Sequence, residues 1–454
     1  MTELQHVAEE AMRRLHVPGA AIGILDSGSE EVETFGVTNL EHPLPVDRDT
    51  IFRVFSLTKT VVAATAMCLV RRGLLDLDAP VRTYLPGLRL SDENVAHRVT
   101  TRDLLSHRVG WADTPSGDPG APLAASTDMV STLPQLRPFG AWSYCNSGVM
   151  LAGRVLEVAS GVSFEKVVRE SVLDPLEMTR SSFELGEMIT HRVAVGHVRT
   201  GSTADGEGEP TSSIPTVVRP WTDIRWMRPS TGFGTTLSDM LRYLRFQLNE
   251  EIPGVRRPLD EGAVRSMHVP VTEDGQVALA WLTRTIEGVP TVSLGGSGLG
   301  FGVYALMAPE KRFAVCVLTN APGHQFDREI VAWALEHHLG ISERRPLVNL
   351  DRATAAEYAG RYISEHQVVR VEAHTEGIIM HVTRTGPGVG GAAGRPDPVD
   401  ALRLAYEAPD RVVVTEGSRV GLRGEFLRNS AGHVTMLRIP TLLHLKESED
   451  GHRP

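Results

Sequence analysis

The stretch Phe55–Gly73, FSLTKTVVAATAMCLVRRG, sets a lysine at the head of a long apolar run. Val61, Val62, Ala63, Ala64, Ala66, Met67, Leu69 and Val70 cover nearly every side of the helix this run predicts, so that helix belongs in a core. Burying an ammonium is expensive. The chain has only four lysines, Lys59, Lys166, Lys311 and Lys446, and uses arginine elsewhere; an amine that can release its proton does what a guanidinium cannot. Ser56 lies three residues before Lys59, which puts their β-carbons about 5–6 Å apart on one helix face. At the amino end of the helix Ser56 would meet unpaired backbone N–H groups and the positive end of the dipole. Desolvation favours the neutral amine at Lys59, and a neutral amine beside a serine can take its proton. A Ser-x-x-Lys spacing alone also arises by chance.

A second stretch, WSYCNSG at 142–148, precedes the helical pattern GVMLAGRVLEVASG. Tyr144 and Asn146 alternate on one side of it, with Cys145 turned the other way. A tyrosine near an ammonium has its pKa drawn down and can shuttle a proton; an asparagine amide can hold the lysine and a substrate carbonyl together. A packing tyrosine and a helix cap at Asn146 or Ser147 account for the same residues without chemistry.

Outward from these stretches, GAAIGILDSGSEEVETFG predicts a hairpin: a strand over Ala20–Leu25, a turn at Asp26-Ser27-Gly28 and a strand near Val32–Phe35. Helical signals dominate from about 56 to 183, with a proline stop at Pro175. Ser238-Asp239 is read as the cap of a helix with apolar face Met240, Leu241, Leu244 and Leu248. Strand patterns return in VALAWLTRTI, TVSLGGSGLGFGVYALMAP and RFAVCVLTN, and a last helix, DREIVAWALEHHLG, ends at Gly340. The expectation is an α+β domain over 1–342: an antiparallel sheet built from its two ends, flanked by helices, around a helical middle. ISERRPLVNLDR reads as a linker. Over 353–454 short strands and Asn, Ser and Gly turns predict a separate small antiparallel barrel or sandwich. Segments 112–140, 200–228 and TGPGVGGAAGRPDPVD (385–400) read as loops.

At 454 residues, 41% apolar and 22% charged, the chain is ordinary for a globular protein, and its net charge of −10 contains no basic run. Nucleic acid is therefore not an expected partner. No stretch approaches the roughly 20 apolar residues needed to span a bilayer, so no membrane partner is expected either. MTELQHVAEEAMRRLHVPG is an amphipathic helix pattern and not an export signal, which predicts a cytoplasmic protein. Cys68, Cys145 and Cys316 match no disulfide or zinc spacing. The adjacent His337 and His338 point apart on their helix, so neither metal nor cofactor is expected.

In order along the chain, TIFRVFSLTKTVVAATAMCLV, TTRDLLSHRVGW, WSYCNSGVMLAGRVLE, DPLEMTRSSF, GFGTTLSDMLRYLRF and GGSGLGFGVYALMAPEKRFAVCVLTN resemble the class C β-lactamase and penicillin-binding-protein superfamily over about residues 1–340. The resemblance implies a β-lactamase/transpeptidase-like fold and acyl transfer through a serine ester. Ser56 is similar to the acylated nucleophile, Lys59 to its base or electrostatic partner, Tyr144 to the proton shuttle and Asn146 to the orienting amide; the pair Lys59–Tyr144 titrates as a unit. The third family motif, Lys-Thr-Gly or His-x-Gly, aligns with Gly296-Ser297-Gly298, so the side chain that usually helps the tyrosine titrate or holds a carboxylate is missing. Gly296, Ser297, Gly298 and Trp142 remain as candidate substrate contacts. The N–H groups of Ser56 and Leu299 are the candidate oxyanion hole. AEYAGRYISEHQVVRVE resembles the start of lipocalin-like barrels that follow this domain in esterases, D-aminopeptidase-like enzymes and stand-alone peptide cyclases.

His107 and Asp103 read as organisers of a short helix and loop, Trp221 and Trp226 as packing, and Arg225 and Arg228 as surface charges, with a substrate carboxylate as their alternative partner. The reading is thus a serine hydrolase or acyltransferase acting on a small ester, amide or thioester. Two alternatives stand beside it: a peptide cyclase receiving a peptidyl thioester, free or carrier-protein-bound, and a non-catalytic binding protein that keeps the fold.

Overall fold

The computed structural model describes residues 2–113, 117–199, 214–322, 324–365, 367–384, 400–417 and 419–447. The first half of the loop expected over 200–228 and nearly all of that over 385–400 lie outside these residues. The chain forms two compact units, and neither is continuous. The first comprises Met1–Ser106, Gly117–Ser131 and Asn146–Glu343; the second His107–Ser116, Thr132–Cys145 and Arg344–Pro454.

In the first unit the chain runs through α1 (Glu3–Leu15), β1 (Gly19–Asp26), β2 (Ser29–Gly36), α2 (Thr58–Arg71), α3 (Asn146–Ser160), α4 (Arg228–Thr231), α5 (Leu237–Gln247), β3 (Leu282–Ile286), β4 (Val289–Gly298), β5 (Phe301–Ala308), β6 (Phe313–Thr319) and α6 (Gln325–Ala334), with shorter turns between. Six strands make one antiparallel sheet in the order β2-β1-β6-β5-β4-β3. The two ends of the chain thus build the sheet and the middle supplies helices, as the sequence pattern predicts.

The hairpin β1–β2 turns on Ser27 and Gly28, both at positive φ (51° and 95°), the conformation a two-residue hairpin loop requires. β1 and β6 are buried on both faces, which explains why they read as continuous apolar runs and not as alternations. One face packs under α1 and α6 through Leu4, Ala8, Ile22, Ile24, Val315, Phe326 and Ile330. On the other, Gly23 lies against Leu237 and Leu241 of α5, where a β-carbon would come within 2.8 Å of the Leu241 side chain. Thr2 caps α1 through a reciprocal pair with Gln5: Gln5 N–H donates to Thr2 Oγ1 (3.1 Å) and Thr2 N–H to Gln5 Oε1 (2.9 Å). The cap of α5 is Thr236, accepting from Asp239 N–H at 3.1 Å, and not Ser238-Asp239 as expected; Asp239 is instead buried and accepts from Ser181 Oγ (2.7 Å) and Arg180 N–H (3.0 Å).

In the second unit eight antiparallel strands close into a barrel: β7 (Gly360–Ile363), β8 (Gln367–Ala373), β9 (Gly377–Arg384), β10 (Asp400–Ala408), β11 (Arg411–Val414), β12 (Arg423–Arg428), β13 (Val434–Ile439) and β14 (Leu442–Lys446). Closure runs through Tyr362 opposite Lys446. Eight strands leave a bore that side chains can fill, and Tyr358, Tyr362, Val369, Met380, Leu404, Tyr406, Phe426 and Leu437 fill it. Their phenols are satisfied inside: Tyr362 Oη donates to Tyr358 O (2.8 Å) and Tyr406 Oη to His374 O (3.1 Å). The stretch read as a linker is bonded to this barrel, with Val348 N–H donating to Tyr406 O (2.9 Å) and Leu350 N–H to Thr375 O (2.8 Å).

Candidate active site

Ser56 sits in a 3₁₀ turn, Phe55–Leu57, that runs directly into α2. Phe55 holds φ = 42°, a sparsely populated region for a residue with a side chain. Ring packing holds it there. Phe55 lies 6.1 Å from Phe301 ring to ring, and the Arg53 guanidinium covers it at 5.1 Å. Gly298 makes room, since a β-carbon there would lie 2.5 Å from the Phe55 ring.

Lys59 is fully buried, as are nearly all residues of α2. Its Nζ donates to Ser56 Oγ at 3.1 Å and to the backbone carbonyl of Ser230 at 2.9 Å. The serine–amine contact expected from the spacing is therefore formed, in a dry setting. Ser230 was not visible as a site residue, because it contributes a carbonyl that any residue would supply. It lies on α4, and its Oγ donates to Asn146 O (2.8 Å), joining α4 to the start of α3.

Arg228, the first residue of α4, is neither surface charge nor open anion site. It is 4% exposed and bonded to Glu165 (2.7 Å), Glu184 (2.6 Å) and Asp223 (2.7 Å). Burial works against its charge, and the three carboxylates outweigh burial and hold the guanidinium above its ordinary pKa. This cluster anchors the short helix whose carbonyl holds Lys59. Arg53 lacks such partners; burial draws it down to about 10, although it donates to Thr222 O at 2.7 Å.

Gly296 packs directly on the nucleophile's backbone. A β-carbon there would lie 2.5 Å from Val54 O and 2.8 Å from Ser56 N. The position expected to have lost a lysine or histidine thus has no room for a side chain. Leu294, two residues earlier on the same face of β4, is the preceding side chain on that face and is buried. Leu299 (φ = 46°) and Gly300 (φ = 81°) form the two-residue loop between β4 and β5, closed by the pair Gly298–Phe301. In such a hairpin the closing pair exchanges hydrogen bonds, and the next residue, Ser297, turns its N–H away from β5. β3 covers β4 only as far as Ser293, so that N–H faces the strand's outer edge; Ser297 Oγ donates to Phe301 O at 3.0 Å.

Tyr144 and Trp142 belong to the second unit. The Tyr144 ring packs on His107 at a 35° tilt with ring centroids 4.6 Å apart, and Cys145 N–H donates to His107 Nδ1 at 3.1 Å. Trp142 is 3% exposed and lies under the Arg438 guanidinium at 4.0 Å. Asp103 closes a reciprocal cap with Thr100: Thr100 Oγ1 donates to its carboxylate at 2.7 Å and Asp103 N–H to Thr100 Oγ1 at 3.2 Å. Trp226 is buried and donates to Asp118 O at 2.9 Å. His337 and His338 face different carboxylates, Glu3 (3.5 Å) and Asp26 (3.1 Å). The three cysteines are buried thiols; burial pushes Cys68 up to about 12 and Cys316 higher still. Among the described residues no helix is long and apolar enough to cross a membrane.

The family described as Beta-lactamase matches residues 4–339. Penicillin-binding protein 4 of Amycolatopsis lactamdurans is 29% identical over 321 residues, 67% of this chain and 81% of its own length. The unguisins hydrolase ungD' of Aspergillus campestris is 26% identical over 359 residues, 74% of this chain and 64% of its own. Among solved structures, SurE with D-Leu is similar across 98% of both chains, with a TM-score of 0.71 at 21% identity. That last likeness is one of fold, and it takes in the barrel.

Proposed function

This chain belongs to the Beta-lactamase family, and we propose that it performs acyl transfer through an ester on Ser56. The observation that carries this reading is the buried Lys59 Nζ, 3.1 Å from Ser56 Oγ and held by Ser230 O. In the reaction Lys59, as a neutral amine, takes the serine proton while Oγ bonds to the acyl carbon of an ester, amide or thioester. Tyr144 passes a proton to the departing alcohol, amine or thiol as its bond to the acyl carbon breaks, and Asn146 orients Lys59 and the acyl carbonyl. The oxyanion is held by Ser56 N–H and a strand N–H. We assign the second donor to Ser297 in place of Leu299, because Ser297 follows the glycine that abuts Ser56 and turns its N–H to the outer edge. Water or an amine then attacks the ester carbon and gives its proton to the Tyr144 phenolate, and Lys59 returns its proton to Oγ as the ester bond breaks.

The missing side chain at Gly296 removes the usual cation for a free carboxylate, so the favoured donors are small esters, amides and thioesters without one. A second reading, aminolysis of a peptidyl donor, free or carried as a thioester by a protein, draws support from the chain-long likeness to a structure holding D-Leu. The test is intact-mass and peptide mapping after a fluorophosphonate. One adduct on Ser56, absent in Ser56→Ala, is expected. A folded wild-type protein that takes no adduct is a binding protein. Incubation of a peptidyl thioester with and without a D-amino-acid amine then separates hydrolysis from aminolysis by product mass.

A further inference from the structure

The second unit joins two pieces of chain about 300 residues apart: the 107–145 segments and the carboxy-terminal barrel. Several of their contacts fall on one hairpin. β13 and β14 are joined by the two-residue turn Pro440-Thr441, closed by Ile439 opposite Leu442. Tyr144 N–H donates to Thr441 O at 2.9 Å. Leu443 N–H donates to Ser143 Oγ at 3.1 Å, and Arg137 Nε donates to Leu443 O at 2.9 Å. Arg438, opposite Leu443 in the hairpin, covers Trp142 at 4.0 Å. Trp142, Ser143 and Tyr144, three successive residues, are thus each gripped by a different residue of one barrel hairpin. A further tie joins Asp113 N–H to Glu365 in the β7–β8 turn at 2.5 Å.

We propose that the β13–β14 hairpin is the template that sets the Tyr144 backbone, with Ser143 and Arg137 as positioning residues for the phenol. Within the unit Ser143 N–H donates to His107 O (2.9 Å) and Cys145 N–H to His107 Nδ1 (3.1 Å), while the amide of Tyr144 itself goes to the barrel. Pro440 fixes φ at the first turn position, so the Thr441 carbonyl is held in a set direction. Ser143 and Arg137 are 2% and 4% exposed, so water cannot readily replace a lost bond. The barrel on this account acts on the reaction through the backbone geometry of Tyr144.

The proposal rests on Tyr144 taking part in acylation, and the experiment separates the two. Acylation of full-length protein by a p-nitrophenyl ester is followed by intact mass against pH for Ser143→Ala, Ser143→Thr, Arg137→Met and Tyr144→Phe, with hydrogen exchange of the 137–145 peptide. Ser143→Ala and Arg137→Met should each slow acylation by roughly 10-fold or more, since a displacement of about 1 Å costs on the order of 100-fold. They should also displace a limb of the pH profile and raise exchange across 142–145; Ser143→Thr should restore all three. If Tyr144→Phe slows acylation while Ser143→Ala and Arg137→Met keep the wild-type rate and pH profile, the template is wrong and the tyrosine assignment stands. If Tyr144→Phe acylates normally, the tyrosine assignment fails; raised exchange in Ser143→Ala, reversed in Ser143→Thr, then still supports the template, and unchanged exchange overturns it.

Discussion

Adding one methyl group at Gly296 should disable the serine without removing any catalytic side chain. The β-carbon of Gly296→Ala would stand 2.5 Å from Val54 O and 2.8 Å from Ser56 N, against the 3.4 Å at which ordinary contact begins. About 0.9 Å and 0.6 Å must therefore be absorbed, and both atoms belong to backbone that cannot swing aside. β4 cannot easily retreat, because β5 holds it through the whole Val292–Gly298 ladder. Ser56 and its amide must move, and a misplacement of this size costs on the order of 100-fold in rate. Overpacking costs about 1–3 kcal/mol of stability as well. The assay is the second-order rate of fluorophosphonate labelling at Ser56, read by intact mass, beside a thermal melt. Gly296→His, which would restore the residue type usual in the family, should be worse than alanine and not better. Labelling of Gly296→Ala within twofold of wild type at an unchanged melting temperature would refute the placement of this strand against the nucleophile.

Lys59→Met should slow labelling by about 10²–10⁴-fold while leaving the melting temperature at or above wild type, because it removes a buried amine; unchanged labelling sinks the proton-transfer role. Arg228→Met leaves Glu165, Glu184 and Asp223 facing one another and should destabilise the fold by about 3–5 kcal/mol in denaturant melts. Slower labelling should accompany it, since α4 carries the Lys59 acceptor. His444, fully buried on β14, is drawn down to about 4 by burial and by the nearby Arg137 charge. The unfolded chain therefore binds that proton more readily. Stability present above about pH 6.5 should be lost as pH falls toward 4, by about 3 kcal/mol in all. Urea melts at pH 7 and 5 should show this slope, and His444→Gln should flatten it.

What could be read from the sequence was what side-chain pattern encodes. The apolar, all-round character of 61–70 gave a buried helix, and the three-residue spacing gave the Ser56–Lys59 contact. Two turn residues, Ser27 and Gly28, gave the first hairpin, and short strands with Asn, Ser and Gly turns gave the barrel. What stayed hidden was written in backbone. Ser230 acts through its carbonyl. Gly296 matters for the atoms a β-carbon would strike, and nothing in the string GGSG says which glycine meets Ser56. The α5 cap fell on Thr236 and not on Ser238 because several hydroxyl and carboxylate residues in a row can each cap a helix, and packing of Asp239 against Ser181 decided between them. Arg228 reads as a surface charge until Glu165 and Glu184, from distant segments, converge on it beside the local Asp223.

The interleaving of the two units has a consequence for the order in which the chain is made. The piece around Tyr144 leaves the ribosome long before Thr441, about 300 residues later, and at about 5–20 residues per second it waits some 15–60 s for its partner hairpin. During that interval Trp142 and Ser143, both buried in the finished protein, lack Arg438 and Leu443, their partners on the carboxy-terminal strands. The segment that carries Tyr144 therefore waits for the end of synthesis, and a chain cut at 343 would keep its nucleophile and amine while lacking the hairpin whose Thr441 carbonyl binds the Tyr144 amide.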